Sequence, residues 1–78
     1  MELWLIDDAP ANHAVVRATL RTFPEVVFRG FLDGASGLAA ARAASAGQAA
    51  LPDIVLMDFY LGDTRGDAVT TALLPLCA

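Results

Sequence analysis

Two short, wholly apolar runs, Leu3-Trp4-Leu5-Ile6 and Ile54-Val55-Leu56-Met57, each stop abruptly at an aspartate, Asp7 and Asp58. A run without polar alternation suits a strand covered on both faces, as in a parallel sheet. Between them, Val26 to Phe31 is β-branched and aromatic and leads into the turn-forming pair Asp33-Gly34, which predicts a further strand. Helical spacing fills the intervals. Pro10 is compatible with a first helical turn, and Val16, Leu20 and Phe23 recur on one face up to Pro24. Residues 36–46 are mostly alanine, with Leu38 and Ala41 directed one way and Gly47 as terminator. After the last apolar run, 60–65 reads as a loop. Gly66-Asp67 then lead into a short helix over 68–74 whose end is marked by Pro75. Strand and helix therefore alternate three times, which predicts right-handed βαβ units and an α/β fold with helices on both faces of a parallel sheet.

Composition narrows this picture. Seventy-eight residues allow one domain, 1–78, with a small core and few reserves of stability. The single cysteine, Cys77, has no internal disulfide partner and no Cys/His cluster offers zinc, so a reducing, cytoplasmic setting is expected and Cys77 reads as inert packing. Hydrophobic content is 56%, yet every apolar run is far shorter than the roughly 20 residues that span a bilayer. The opening Met1-Glu2-Leu3-Trp4 lacks the basic region of a signal peptide, so no membrane or secretory role is expected. Net charge is −4, and Arg17, Arg21, Arg29, Arg42 and Arg65 account for all five basic residues. They form no stripe that would meet phosphate backbones, so direct nucleic-acid binding is not expected.

The candidate chemistry is acidic. In open α/β sheets, ligands bind beyond the carboxyl ends of the strands, where strand order reverses. If the first and last apolar strands are neighbours, Asp7, Asp8 and Asp58 converge on one crevice. Three carboxylates repel one another, and a hard cation with oxygen ligands is the usual compensation. Magnesium suits such a partial site, because it keeps several waters and accepts carboxylate, carbonyl and phosphate oxygens.

An Asp-Asp pair after the first strand and Leu-Met-Asp closing the third resemble the CheY-like receiver domain of response regulators. The resemblance implies a flavodoxin-like parallel sheet of order 2-1-3 in this chain. It also implies the family's activity: Mg²⁺-dependent transfer of a phosphoryl group from a histidine kinase's phosphohistidine onto an aspartate, later lost to water. By position, Asp58 matches the phosphoacceptor, Asp8 the direct metal ligand, and Asp7 the acidic partner that acts through water. Tyr60 matches the residue whose backbone carbonyl reaches the metal. Gly66 falls at the family's loop glycine, whereas Gly62, within Leu61-Gly62-Asp63, stands where many members have proline. A histidine kinase or a phosphotransfer protein is the implied partner. Self-catalysed phosphotransfer and dephosphorylation are the implied chemistry, without enzymatic turnover on a separate substrate.

The family domain has five βα units, and this sequence carries three. The Ser or Thr and the Lys that close the family's phosphoryl site on its fourth and fifth strands have no counterpart here. The expectation is therefore a partial receiver whose third strand has an uncovered edge, with self-association through that edge. The competing expectation is a receiver-like interaction or dimerisation domain that is not phosphorylated. A flavodoxin-like nucleotide or flavin binder ranks below both, since Asp7-Asp8 would repel phosphate where such proteins place Gly, Ser or Thr. Among the remaining polar residues, His13 is expected to be an exposed residue of the first helix. Asp33 and Asp67 are expected to cap helices, Asp63 to be a loop charge that tunes the metal indirectly, and Arg65 to be a solvated loop residue. Trp4 is expected in the core or at a partly covered edge.

Overall fold

A computed structural model describes residues 1–58, 60, 61 and 64–77, with the side chains of residues 60, 61 and 64 outside the description. The element order is β1 (Glu2–Ile6), α1 (Pro10–Leu20), β2 (Val27–Phe31), α2 (Gly34–Ser45), β3 (Ile54–Met57), β4 (Tyr60–Leu61), β5 (Thr64–Arg65) and α3 (Gly66–Cys77). Strands β2, β1 and β3 form a parallel sheet in that order, which is the expected 2-1-3 arrangement. The central strand is the apolar run at the start of the chain, paired on both sides and buried from Leu3 to Ile6.

Successive side chains of β1 point to opposite faces and so build two different layers. Trp4 and Ile6, both fully buried, pack with Ala41 and Ala44 of α2 and Val69 and Leu73 of α3. Alanines let α2 approach the sheet closely, which is the structural content of the alanine-rich stretch. Phe31, Val55 and Met57 extend this layer from the flanking strands. Arg29, which pairs with Trp4 in the sheet, lays its guanidinium 5.2 Å over the Trp4 ring and 5.1 Å over that of Phe31. A charged head over aromatic faces closes this layer at the β2 side without burying the charge. The opposite face carries Leu3 and Leu5, with α1 lying against β2. Arg17 of α1 stacks 5.1 Å over Phe28.

The ends of the helices follow their local chemistry. Asp33 precedes α2 and its carboxylate accepts the Ser36 N–H at 2.7 Å, the expected cap. Hydrogen bonds from Ser36 hold the Asp33 carboxyl below its usual pKa. Gly47 adopts φ +85°, a conformation that favours glycine, and stops α2 as expected.

Three expectations are corrected. Helix α1 ends at Leu20, and Phe23 lies beyond it, half exposed, so Phe23 does not continue the apolar face. Residues 60–65 are not simply a loop, since Tyr60 pairs with Arg65 and Leu61 with Thr64 in a short antiparallel ladder; Gly62 and Asp63 lie outside the described residues. Helix α3 begins at Gly66 and continues through Pro75 to Cys77. A proline costs a helix one N–H···O bond, but here it falls in the last turn, and Leu76 and Cys77 beyond it pack against the core. Asp67 thus sits inside the first turn of α3 and not before it; its carboxylate accepts the Ala68 N–H at 3.0 Å and pairs with Arg65 at 3.2 Å. Among the described residues, no helix is long and apolar enough to cross a membrane.

Candidate metal and phosphoacceptor site

The carboxyl ends of β1 and β3 lie side by side because the two strands pair directly, with Ile6 opposite Met57. The residue after each is an aspartate, held by its backbone to a neighbouring strand. Asp7 N donates to Phe31 O at 3.0 Å, and Asp58 N donates to Ile6 O at 2.9 Å. Sheet pairing therefore positions two of the acidic groups before any side-chain interaction is counted, and Asp8 follows Asp7 into the turn toward α1. Carboxylate oxygens of Asp7, Asp8 and Asp58 all lie within 4.8 Å of one another, with Asp7 buried, Asp58 half-buried and Asp8 exposed. The three residues singled out in the sequence thus form one cluster across fifty positions of chain. Tyr60 opens β4, opposite Arg65.

The three carboxylates are not equivalent. Asp7 is only 7% exposed and both its oxygens accept hydrogen bonds: Oδ1 from Ala9 N and Oδ2 from Asn12 Nδ2, each at 2.8 Å. These bonds tie Asp7 to the start of α1 and take up part of its accepting capacity. Asp8, at the exposed end of the cluster, is open to solvent from the crevice mouth.

Cation size tests the arrangement. Two oxygens on opposite sides of a magnesium ion are roughly 4.2 Å apart, twice the Mg–O distance. The ligand atoms of Asp7, Asp8 and Asp58 lie within 4.8 Å of one another, close to that span, so the three carboxylates could hold a metal ion between them. Asp7, already engaged by two donors, is the one suited to act through water. The donor set is all oxygen and all anionic, which favours a hard divalent cation over zinc or copper.

Two residues of the site were not anticipated from the sequence. Asn12 orients Asp7, as described. His13 was expected to be exposed, yet it is only 7% exposed, and its Nε2 donates to the Asp7 carbonyl at 2.7 Å. The physical reason is that α1 lies over β2 at Gly30, where the absence of a side chain leaves room for the imidazole; a Cβ there would overlap Nδ1 and come within 2.9 Å of Cε1. The signal was Gly30 itself, since a glycine inside an otherwise β-branched and aromatic strand marks the close approach of another group. No family profile, curated protein or solved structure matches the chain.

Proposed function

We propose that the chain is a receiver module of two-component signalling, of flavodoxin-like topology, that takes a phosphoryl group from a phosphohistidine onto Asp58. The observation that supports this most is the convergence of Asp7, Asp8 and Asp58, within 4.8 Å, at the carboxyl ends of two adjacent parallel strands. A lone acidic pair is usually a solvated turn, whereas here a third carboxylate joins the pair from the end of the adjacent parallel strand. The parallel 2-1-3 sheet is compatible with this reading. A flavin or nucleotide binder is disfavoured by the same carboxylates, which occupy the turn where such proteins present backbone N–H groups to phosphate.

In this reading an oxygen of Asp58 attacks the phosphorus in line with the departing imidazole. The P–N bond breaks as the O–P bond forms, and the imidazole nitrogen takes up a proton. Water later attacks the phosphorus and releases inorganic phosphate, restoring the carboxylate. Asp8 and Asp58, with Asp7 beside them, would hold Mg²⁺, which would supply the positive charge that lets an anion approach an anionic phosphoryl group. Asp58 is held on the strand end by its N–H bond to Ile6, which keeps the nucleophile in place for attack. Partners in this reading are a histidine kinase or a phosphotransfer protein, and the setting is the cytoplasm. Beryllofluoride with Mg²⁺, an acyl-phosphate mimic, is expected to shift the amide resonances of residues 7, 8 and 58 in the folded chain. An unchanged spectrum at saturating concentrations of both would overturn the assignment.

A second reading, a receiver-like interaction domain that is not phosphorylated, is favoured by one observation. Strand β3 is at the edge of the described parallel sheet, and its Ile54 and Leu56 are each 41% exposed on the face not covered by α2 and α3. An open edge with apolar side chains invites strand pairing, here with a second copy across β3. Sedimentation velocity is expected to show a concentration-dependent dimer, which Leu56→Lys should abolish without unfolding the chain. A monomer at every concentration up to hundreds of micromolar would count against self-association.

A further inference from the structure

We propose that His13 is a positioning residue for the acidic cluster, acting through the Asp7 carbonyl; this rests on the metal-binding reading above. A carbonyl oxygen can only accept, so His13 Nε2 carries the proton of the 2.7 Å bond and Nδ1 is the nitrogen that faces Gly30. The ring is enclosed on several sides. Gly30 lies beneath it, Phe28 meets it edge-on at 6.4 Å between ring centroids and 74° between planes, and Pro10 and Arg17 line the small cavity beside it. A buried ring in such a slot has little freedom to turn, so the direction of its N–H is set by packing.

The consequence reaches Asp8. The Asp7 carbonyl and the Asp8 N–H belong to one rigid peptide plane, so fixing the oxygen fixes the orientation from which the Asp8 backbone departs. On the other side, the Asp7 carboxylate is held by Ala9 N and Asn12 Nδ2. Residues 7–9 are thus gripped from both the main-chain and the side-chain direction by consecutive residues of α1, Asn12 and His13. With the His13 donor gone, the Asp7 carbonyl loses its buried partner and the peptide is free to rotate toward other donors, which redirects Asp8 away from Asp58. Outer partners of metal ligands typically change affinity by about 10–100-fold when removed.

The test compares two amides of nearly equal polarity. In His13→Gln the side-chain N–H₂ falls close to the position of imidazole Nε2, whereas in His13→Asn it falls near Nδ1 and cannot reach the Asp7 carbonyl. Mn²⁺ and Mg²⁺ dissociation constants are measured calorimetrically at a temperature where circular dichroism shows both variants folded. His13→Asn is expected to weaken binding about 10-fold and His13→Gln to stay within about 3-fold of the unaltered chain. Equal affinities for both variants and the unaltered chain, even with lowered melting temperatures, would overturn the positioning role and leave the metal reading intact. No cation binding by the unaltered chain would overturn the metal reading, and the positioning role with it. Should His13→Asn fail to fold, Gly30→Ala provides the second route, since its Cβ displaces the ring. Reduced affinity in folded Gly30→Ala supports the role, and unchanged affinity defeats it.

Discussion

Trp4→Ala should abolish cooperative folding of the chain. Trp4 is fully buried at the centre of the layer formed with Ile6, Ala41, Ala44, Val69 and Leu73. Removing a buried tryptophan costs about 3–5 kcal/mol, the sum of lost transfer free energy and the cavity left behind. A core of this size rarely supplies more than about 3–5 kcal/mol in total, so the substitution consumes the whole margin. The neighbours are poorly placed to collapse into the space, because the facing helix contributes alanines with no side chain left to extend. Trp4→Phe is expected to be much milder. It keeps a ring near Phe31, whose centroid lies 5.1 Å from that of Trp4, and removes an indole N–H that has no hydrogen-bond partner among the described residues. Guanidinium titration followed by far-ultraviolet circular dichroism distinguishes the cases. A Trp4→Ala chain with a sigmoidal transition and a midpoint near that of the unaltered protein would show that the core is not organised around this side chain.

Much of this architecture was legible because burial on both faces leaves a direct mark on a strand. Leu3 to Ile6 contain no polar position and are buried on both faces, whereas the equally apolar Ile54 to Met57 lies at the edge with Ile54 and Leu56 exposed on one face. The aspartates that close them could then be placed together by topology alone, since parallel strands share the same carboxyl edge. The misreadings of His13 and Pro75 originate in contacts between segments distant in sequence. Phe23 has the right spacing to continue α1, but spacing says nothing of where the helix stops. Pro75 is an unfavourable helix residue by local propensity, and the packing of Leu76 and Cys77 on the core overrides it. His13 is the most instructive case. Its neighbours on α1 are largely exposed, and its burial depends on a glycine seventeen residues later.

That dependence also separates what holds the sheet from what shapes the site. The layer of Trp4 and Ile6 against α2 and α3 is apolar and insensitive to the direction of any polar group. The layer beneath α1 is thinner, and its one buried helix residue is a histidine that donates to the backbone at the end of β1. Asn12, next to it, holds the Asp7 carboxylate. The first turn of α1 therefore serves the acidic edge at least as much as it serves the core.

Neutralising Asp58 should move stability and metal binding in opposite directions. Asp58→Asn preserves the shape of the side chain and the backbone bond from residue 58 to Ile6, while removing one of three negative charges that lie within 4.8 Å of one another. Repulsion between two such charges is roughly 1 kcal/mol at the dielectric constant of water and 3–4 kcal/mol at an effective value near 20. In chelator the variant is therefore expected to melt higher than the unaltered chain, by about 4–8 °C for each kcal/mol relieved in a domain of this size. Monovalent salt should narrow that difference by screening the repulsion in the unaltered chain. Added Mg²⁺ should reverse the order. A cation at 100 times its dissociation constant stabilises the chain that binds it by about 2.7 kcal/mol, and the variant, short of one carboxylate, gains little. Acetyl phosphate should correspondingly label the unaltered chain and leave Asp58→Asn unlabelled. Melting curves in chelator and across a Mg²⁺ series decide the matter. A variant less stable than the unaltered chain without metal, and equally stabilised with it, would mean that Asp58 is held by other contacts and takes no part in a cation site.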